Sequence, residues 1–480
     1  MSSRLTAGLF REIERLLGPG GVIADPDRMG TYLSESRGLY RGAAELILLP
    51  ATTAAASAAV SLCAREGISM VPQGGNTGLV GGAVAQSSAS RPEVVLSAQR
   101  LNRIRHVDTA GDTITAEAGC VLAQLQAAAE QSDRLFPLSL AAEGSCQLGG
   151  NLSTNAGGTA VLRYGSARDL VLGLEVVLPD GRVFDGLRGL RKDNAGYSLR
   201  ELFLGAEGTL GFITAATCRL FPRPRGSATA FVAVPDPDSA LALLAAAREA
   251  IGDRLSAFEL LSRFALDLAL QTLPGSRDPL DRAHPWYLLV EASGPDSAAE
   301  IERRLTEFLA TQMERGIVED GSTASSEAQR QAFWNLRHHV SDAQKRIGAS
   351  IKNDVAVPVA SVPSLIRDAS ARVLEIVPAA RIVAFGHVGD GNIHFNVSQP
   401  ADMDAAAFLQ LWQPVTAAVN DVVAALGGTF SAEHGIGLLK TAELERYRGG
   451  VELDLMRRIK RALDPANLMN PGKVVGNWDR

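Results

Sequence analysis

Apolar and polar positions alternate with a period of two through residues 393–397, where His394 and Asn396 interrupt Ile393, Phe395 and Val397. That period belongs to a strand with one buried face, and it puts the imidazole and the amide together on the other face. Just upstream, 381–385 (RIVAF) is apolar enough for a partner strand. Asp390-Gly391 between them is a signal for a two-residue type I′ turn. The register this turn predicts sets Val388 against Ile393 and His387 directly opposite His394. Facing residues have Cβ atoms about 4.5–5.5 Å apart. The pair is then either an ordinary pair of sheet histidines or two imidazoles able to hold one metal ion.

Elsewhere the pattern predicts short strands at 46–50, 68–71, 94–97, 104–108 and 113–117. Helices are expected at 52–66, capped by Thr52 or Thr53 and ended by Gly67, and at 121–131. The N-terminal stretch places Leu5, Leu9, Ile13, Leu16 and Leu17 on one helical face. FPRPRG (221–226) reads as a stiff, basic domain boundary. Beyond it, strands at 230–234 and 287–291 alternate with helices at 239–250 and 297–315, and the rhythm continues to about residue 425, as in one α+β domain. The last fifty or so residues read as helix, then Asp464-Pro465 and an Asn-Pro-Gly-Lys tail.

At 480 residues the chain has room for about three domains. A net charge of −6 without a basic block argues against nucleic-acid binding. No apolar run reaches the ~18 residues of a membrane span, and the N-terminus lacks a signal-peptide core, so a cytoplasmic location is expected, or the mitochondrial matrix in a eukaryote. Cys63, Cys120, Cys146 and Cys218 form no C-x-x-C pair and read as buried thiols.

Three of the seven histidines fall in two segments, GHVGDGNIHFN (386–396) and SAEHGIG (431–437). His387, His394 and Glu433 make a two-histidine, one-carboxylate set that suits zinc or manganese and leaves positions open for substrate. His434 beside them then serves as a base. Three further tracts are rich in glycine and amides: PQGGNTGLVGG (72–82), GSCQLGGNLSTNAGG (144–158) and LGAEGTLGFIT (204–214). The first lacks the lysine of a phosphate-binding P-loop and the spacing of a Rossmann turn. Together they suit a long, phosphate-bearing cofactor lying along main chain.

With RYGS (163–166), LRKDNAGYSL (190–199) and NPGK (470–473), these motifs in this order resemble the FAD-dependent 2-hydroxy-acid dehydrogenases of the vanillyl-alcohol oxidase superfamily. The branch most resembled is that of D-2-hydroxyglutarate and D-lactate dehydrogenases. The resemblance implies an α+β protein. A two-part FAD-binding domain would span residues 1–222, and an α+β substrate or cap domain carrying the metal-site histidines would span 223–428. A helical C-terminal segment, 429–480, would return to the FAD domain. Cofactor-binding positions implied in the first tract are Pro72, Gly74, Gly75, Asn76, Thr77, Gly78 and Leu79, with Gly74–Gly78 on the pyrophosphate. Next come Pro137, Gly144, Ser145, Gly149, Gly150, Asn151, Thr154, Asn155 and Gly157, then Tyr164 and Gly165. Glu207, Gly208, Gly211, Ile213 and Asn470 complete them. The first loop has no histidine, so the expected FAD is non-covalent.

For the substrate, the resemblance puts Arg337, Ser341 and Lys352 on the positions that hold a second, distal carboxylate in the D-2-hydroxyglutarate branch, and Asn396 joins them from the strand face. The expected reaction is oxidation of D-2-hydroxyglutarate to 2-oxoglutarate. D-lactate or glycolate oxidation by the same machinery is the alternative. Ser341 stands where threonine is expected, and Lys352 is followed by Asn353 where an aromatic is expected. These departures leave D-malate open. An electron-transfer flavoprotein or a quinone is the expected electron acceptor, and a homodimer is compatible with the sequence.

Overall fold

A computed structural model describes residues 5–35, 37–88 and 91–476. The first four residues of the N-terminal stretch and the last four of the C-terminal segment lie outside the described residues. The chain divides into two units, one of residues 1–158, 165–222 and 433–480, the other of 159–164 and 223–432.

In the first unit a four-stranded sheet runs in the order Val22–Ile23, Ile47–Leu48, Glu93–Ser97, Ser69–Gln73, parallel across its last three strands. The crossover between two of them is the helix Thr53–Arg65. Thr52 caps it by accepting from the Ala55 N–H at 3.1 Å. Gly67, at φ +66°, turns the chain back into the sheet. A second, antiparallel sheet orders Ile104–Asp108, Thr113–Glu117, Phe212–Arg219, Val171–Val177 and Val183–Gly186. The N-terminal helix Ala7–Leu17 buries only Ile13 and Leu17 of its predicted apolar stripe. All four cysteines are free and buried, as expected.

The C-terminal helix Val451–Leu463 is tied down by one buried lysine. Lys460 Nζ donates to the carbonyls of Thr209 (2.8 Å) and Met469 (2.7 Å) and pairs with Asp464. These bonds join the third glycine-rich tract to the tail that carries Asn470.

The second unit is built on a seven-stranded antiparallel sheet. Its order is Asp320–Thr323, Gly226–Val234, Trp286–Gly294, Leu255–Ser262, Arg381–Gly386, Asn392–Ser398, Ser350–Ala356. On one face Ile351, Val355, Ile393, Phe395 and Val397 join a core with the helices Pro237–Ala250, Ala298–Glu314, Val362–Ile376 and Trp412–Ala425. On the other, Phe231, Leu261, Tyr287, Val383 and Phe385 pack against Arg263–Thr272 and Glu327–Ala343. The second face carries the polar residues of the 392–398 strand.

The hairpin register differs from the expected one. His394 faces Phe385, not His387. A type I′ turn needs positive φ at both central residues, but of Asp390 and Gly391 only Gly391 has it, at +87°. The strand ends at Gly386, and His387 to Gly391 form a longer connection closed by Asp390 N–H to His387 O (3.1 Å) and Gly391 N–H to Val388 O (3.3 Å). A Cβ at Gly391 would lie 2.1 Å from the Val357 carbonyl oxygen, so the turn tolerates no side chain there.

Candidate active site

In the first unit the glycine tracts converge on one groove. Pro72, Gly74–Leu79, Gly149, Gly150, Asn151, Thr154, Gly157, Glu207, Gly208 and Ile213 line it, and so do Glu433 and His434. The strand Ser69–Gln73 delivers the first tract, and the Gln73 amide braces it by donating to Tyr32 O and Ala83 O, both at 2.9 Å. Asn76 adopts φ +55°, with its amide on the carbonyls of Thr31 (3.1 Å) and Ser34 (2.8 Å). Along this turn the backbone N–H groups of Gly75, Asn76, Thr77, Gly78 and Leu79 have no acceptor among the described residues. Consecutive unpaired N–H groups around a left-handed residue form a concave anion site. They fit a pyrophosphate with no cationic side chain in the loop.

The fourth side of the groove depends on glycine. Glu433 Oε1 accepts from the Gly158 N–H at 2.7 Å, and a Cβ on Gly157 would sit 2.5 Å from that same oxygen. The carboxylate therefore reaches the groove only because residue 157 has no side chain. Glu207 holds the following turn: its two oxygens accept from the N–H groups of Ile436 (2.6 Å) and Gly437 (2.8 Å). Burial pushes its pKa up to about 7 against the pull of those two bonds and of Lys440. Asn470 donates to Gly82 O (2.9 Å) and Glu207 O (2.7 Å), so it braces the groove from behind. Asn155 does similar work, its Oδ1 accepting from Ser166 Oγ (3.0 Å) and the Arg168 N–H (2.9 Å). Pro137, Gly144, Ser145, Gly165 and Gly211 are not among the groove-lining residues. Leu140, Ala141 and Ala142 line it without any sequence signal that singled them out, and Gln147 and Phe212 line it from within the second and third tracts.

In the second unit the expected site residues gather on the sheet face beneath the helix Glu327–Ala343. Lys352 pairs across the strands with Asn396, and Asp354 with His394. Lys352 Nζ donates to the Ser341 carbonyl at 3.2 Å. The Asn396 amide donates to Gln344 Oε1 at 2.8 Å. The His387 and His394 rings lie edge to face, 5.6 Å between centroids. The longer connection thus keeps them adjacent despite the shifted register. Tyr164 belongs to this unit, with the Arg163 guanidinium 4.9 Å from its ring centre.

Two carboxylates in this cluster were not singled out by sequence. Asp354, 1% exposed, faces His394 with Oδ1 3.6 Å from Nδ1 and accepts from the Asn392 amide at 2.9 Å. Glu259, also 1% exposed, is the lone charge in the strand Leu255–Ser262. Its Oε1 is 2.7 Å from His387 Nδ1, and its Oε2 accepts from Arg337 Nε at 2.7 Å. Burial raises its pKa, but the charges of His387 and Arg337 outweigh that and bring it down to about 2. A carboxylate on Nδ1 fixes the imidazole tautomer and leaves Nε2 as the lone-pair donor, the arrangement that metal-bound histidines adopt. Arg337 itself is buried, not a solvated surface charge.

Comparisons with known proteins place the chain in a family. A family model described as "FAD binding domain" matches residues 44–186. Another, described as "FAD linked oxidases, C-terminal domain", matches residues 223–474. D-2-hydroxyglutarate dehydrogenase, mitochondrial, of Arabidopsis thaliana is 37% identical over 97% of this chain and 80% of its own length. D-2-hydroxyglutarate dehydrogenase of Stutzerimonas stutzeri (strain A1501) is 37% identical over 97% of this chain and 98% of its own length. Among solved structures, p-cresol methylhydroxylase with substrate bound covers 100% of this chain and 99% of its own, with a TM-score of 0.73 at 17% identity. A 4-ethylphenol oxidase from Gulosibacter chungangensis gives 0.71 at 17% identity, covering 100% of this chain and 99% of its own. The α+β fold of vanillyl-alcohol oxidase type expected from the motifs is therefore the fold observed. Among the described residues no helix is long and apolar enough to cross a membrane.

Proposed function

This chain belongs to the FAD-linked oxidase family, alongside D-2-hydroxyglutarate dehydrogenases, and is a FAD-dependent dehydrogenase; from that premise we propose that it oxidises D-2-hydroxyglutarate to 2-oxoglutarate with the help of a divalent metal ion. What carries the choice of a dicarboxylate is Arg337. It is buried near the two histidines and spends only Nε on Glu259. Its Nη atoms have no hydrogen-bond partner among the described residues of its unit. A buried guanidinium with an open fork suits a carboxylate, and lactate has no second carboxylate to offer it.

In this reading His387, His394 and Glu433 hold the ion, zinc or manganese by the donor set. A divalent ion so held would polarise an α-hydroxy carboxylate and lower the pKa of its hydroxyl. FAD, when bound, would supply the acceptor for the hydride of the α-carbon. The remaining work falls to the chain. His434 takes the hydroxyl proton. Arg337 and Lys352 fix the distal carboxylate, with Ser341 and Asn396 beside them, and so orient the α-carbon. The N–H groups of Gly75 to Leu79 anchor the pyrophosphate, and Glu207 holds the turn that follows Glu433 and His434.

Lys352→Ala separates dicarboxylate from monocarboxylate use. A charge-assisted contact is worth roughly 1.5–3 kcal/mol, about 10–100-fold. The variant should lose that factor in kcat/KM with D-2-hydroxyglutarate and stay within about twofold of wild type with D-lactate, by the same reasoning. Equal losses on both acids would sink the dicarboxylate reading.

A further inference from the structure

We propose that Glu259 is a positioning residue that couples recognition of the substrate's second carboxylate to the metal ligand His387. The inference rests on the proposed function above and deepens it. One carboxylate serves both partners, Oε1 on His387 Nδ1 and Oε2 on Arg337 Nε, each at 2.7 Å. Glu259 is 1% exposed, so water does not substitute for either bond. The other side of the cluster is closed by one phenyl ring. Phe385 lies with its centroid 4.9 Å from the Arg337 guanidinium carbon and 5.0 Å from the His394 ring centre. His387 in turn packs edge-on to His394. The guanidinium thus shares the carboxylate with His387 and the phenyl ring with His394, and a tilt of Arg337 is transmitted to His387 through Glu259.

Three consequences follow from that shared anchor. The bond to Nδ1 holds the His387 plane and leaves Nε2 as the metal donor. The bond to Nε aims the Arg337 fork while leaving its Nη atoms for a ligand. Because binding couplings are reciprocal, an ion on His387 tightens dicarboxylate binding as much as the dicarboxylate tightens the ion. A monocarboxylate leaves the Arg337 fork untouched and sees none of this coupling.

Glu259→Gln tests it. A glutamine N–H₂ either opposes the Arg337 N–H or, turned to His387 Nδ1, moves the ring proton to Nε2, so it cannot hold Arg337 and keep Nε2 as the metal donor. Zn²⁺ affinity of the flavin-loaded protein is measured by competition with a chromogenic chelator. At saturating Zn²⁺ the ratio of kcat/KM for D-2-hydroxyglutarate to that for D-lactate is then measured. Circular dichroism and the thermal unfolding profile control for folding, and bound flavin per chain checks the glycine-lined groove of the other unit. The coupling predicts Zn²⁺ binding weaker by about 10–100-fold, the usual cost of losing a ligand's orienting partner. It also predicts a substrate ratio lower by about tenfold, as for one charge-assisted contact. Movement of one quantity without the other overturns the coupling, as does movement of neither. If the single variant does not fold, the double variant E259Q/R337M removes both buried charges together, and unchanged Zn²⁺ affinity there overturns it equally. A wild type that binds no Zn²⁺, or that prefers D-lactate, instead defeats the proposed function, and the coupling with it.

Discussion

His387→Ala should release the divalent ion and abolish turnover while the flavin stays in place. The imidazole is only 7% exposed and is held by Glu259, so its removal takes a preset nitrogen donor out of the site. A bound metal ion supplies several kcal/mol of charge stabilisation, and the loss in kcat is then about 10³-fold or more. The glycine-lined groove proposed for the flavin belongs to the other unit, so flavin content should match wild type. Metal analysis and the absorbance of the purified variant decide the matter together. Wild-type metal content in His387→Ala would remove this residue from the ligand set. Loss of flavin would mean that the two sites are not separable as described.

His434→Ala should do the reverse, keeping metal and flavin and losing mainly kcat. A positioned general base contributes about 10²–10⁴-fold. His434 lines the same groove as the glycine tracts, beside Glu433, whose carboxylate is fixed on Gly158. The loss should appear in the anaerobic rate of flavin reduction, and it should be partly recovered at high pH, where solvent hydroxide replaces the missing base. A variant reducing its flavin at near wild-type rate would exclude His434 from proton transfer.

Much of this site could be read from local pattern, and what could not be read has definite causes. The face shared by His394 and Asn396 follows from a period of two, and the structure keeps it. The exact pairing did not follow, because Asp390 stays out of the left-handed region and lengthens the turn. The two histidines still meet, since a shift of two positions preserves the face on which a side chain lies. Glu259 was not legible. It is a single charge in an apolar strand, and its partners Arg337 and His387 come from a distant helix and hairpin. Arg337 was legible as a residue type on a helix, but its burial was not, because that depends on Glu259. In the first unit, glycine density marked the groove. It could not tell residues that face the groove from those that brace it, and the side-chain bonds of Asn155 and Asn470 make that distinction.

The most direct test of the central claim is anaerobic flavin reduction by a panel of D- and L-2-hydroxy acids. Metal-loaded protein should be bleached rapidly by D-2-hydroxyglutarate, more slowly by D-lactate, and not at all by L-2-hydroxyglutarate. Bleaching by D-lactate as fast as by the dicarboxylate, or undiminished bleaching after the metal has been removed, would contradict it.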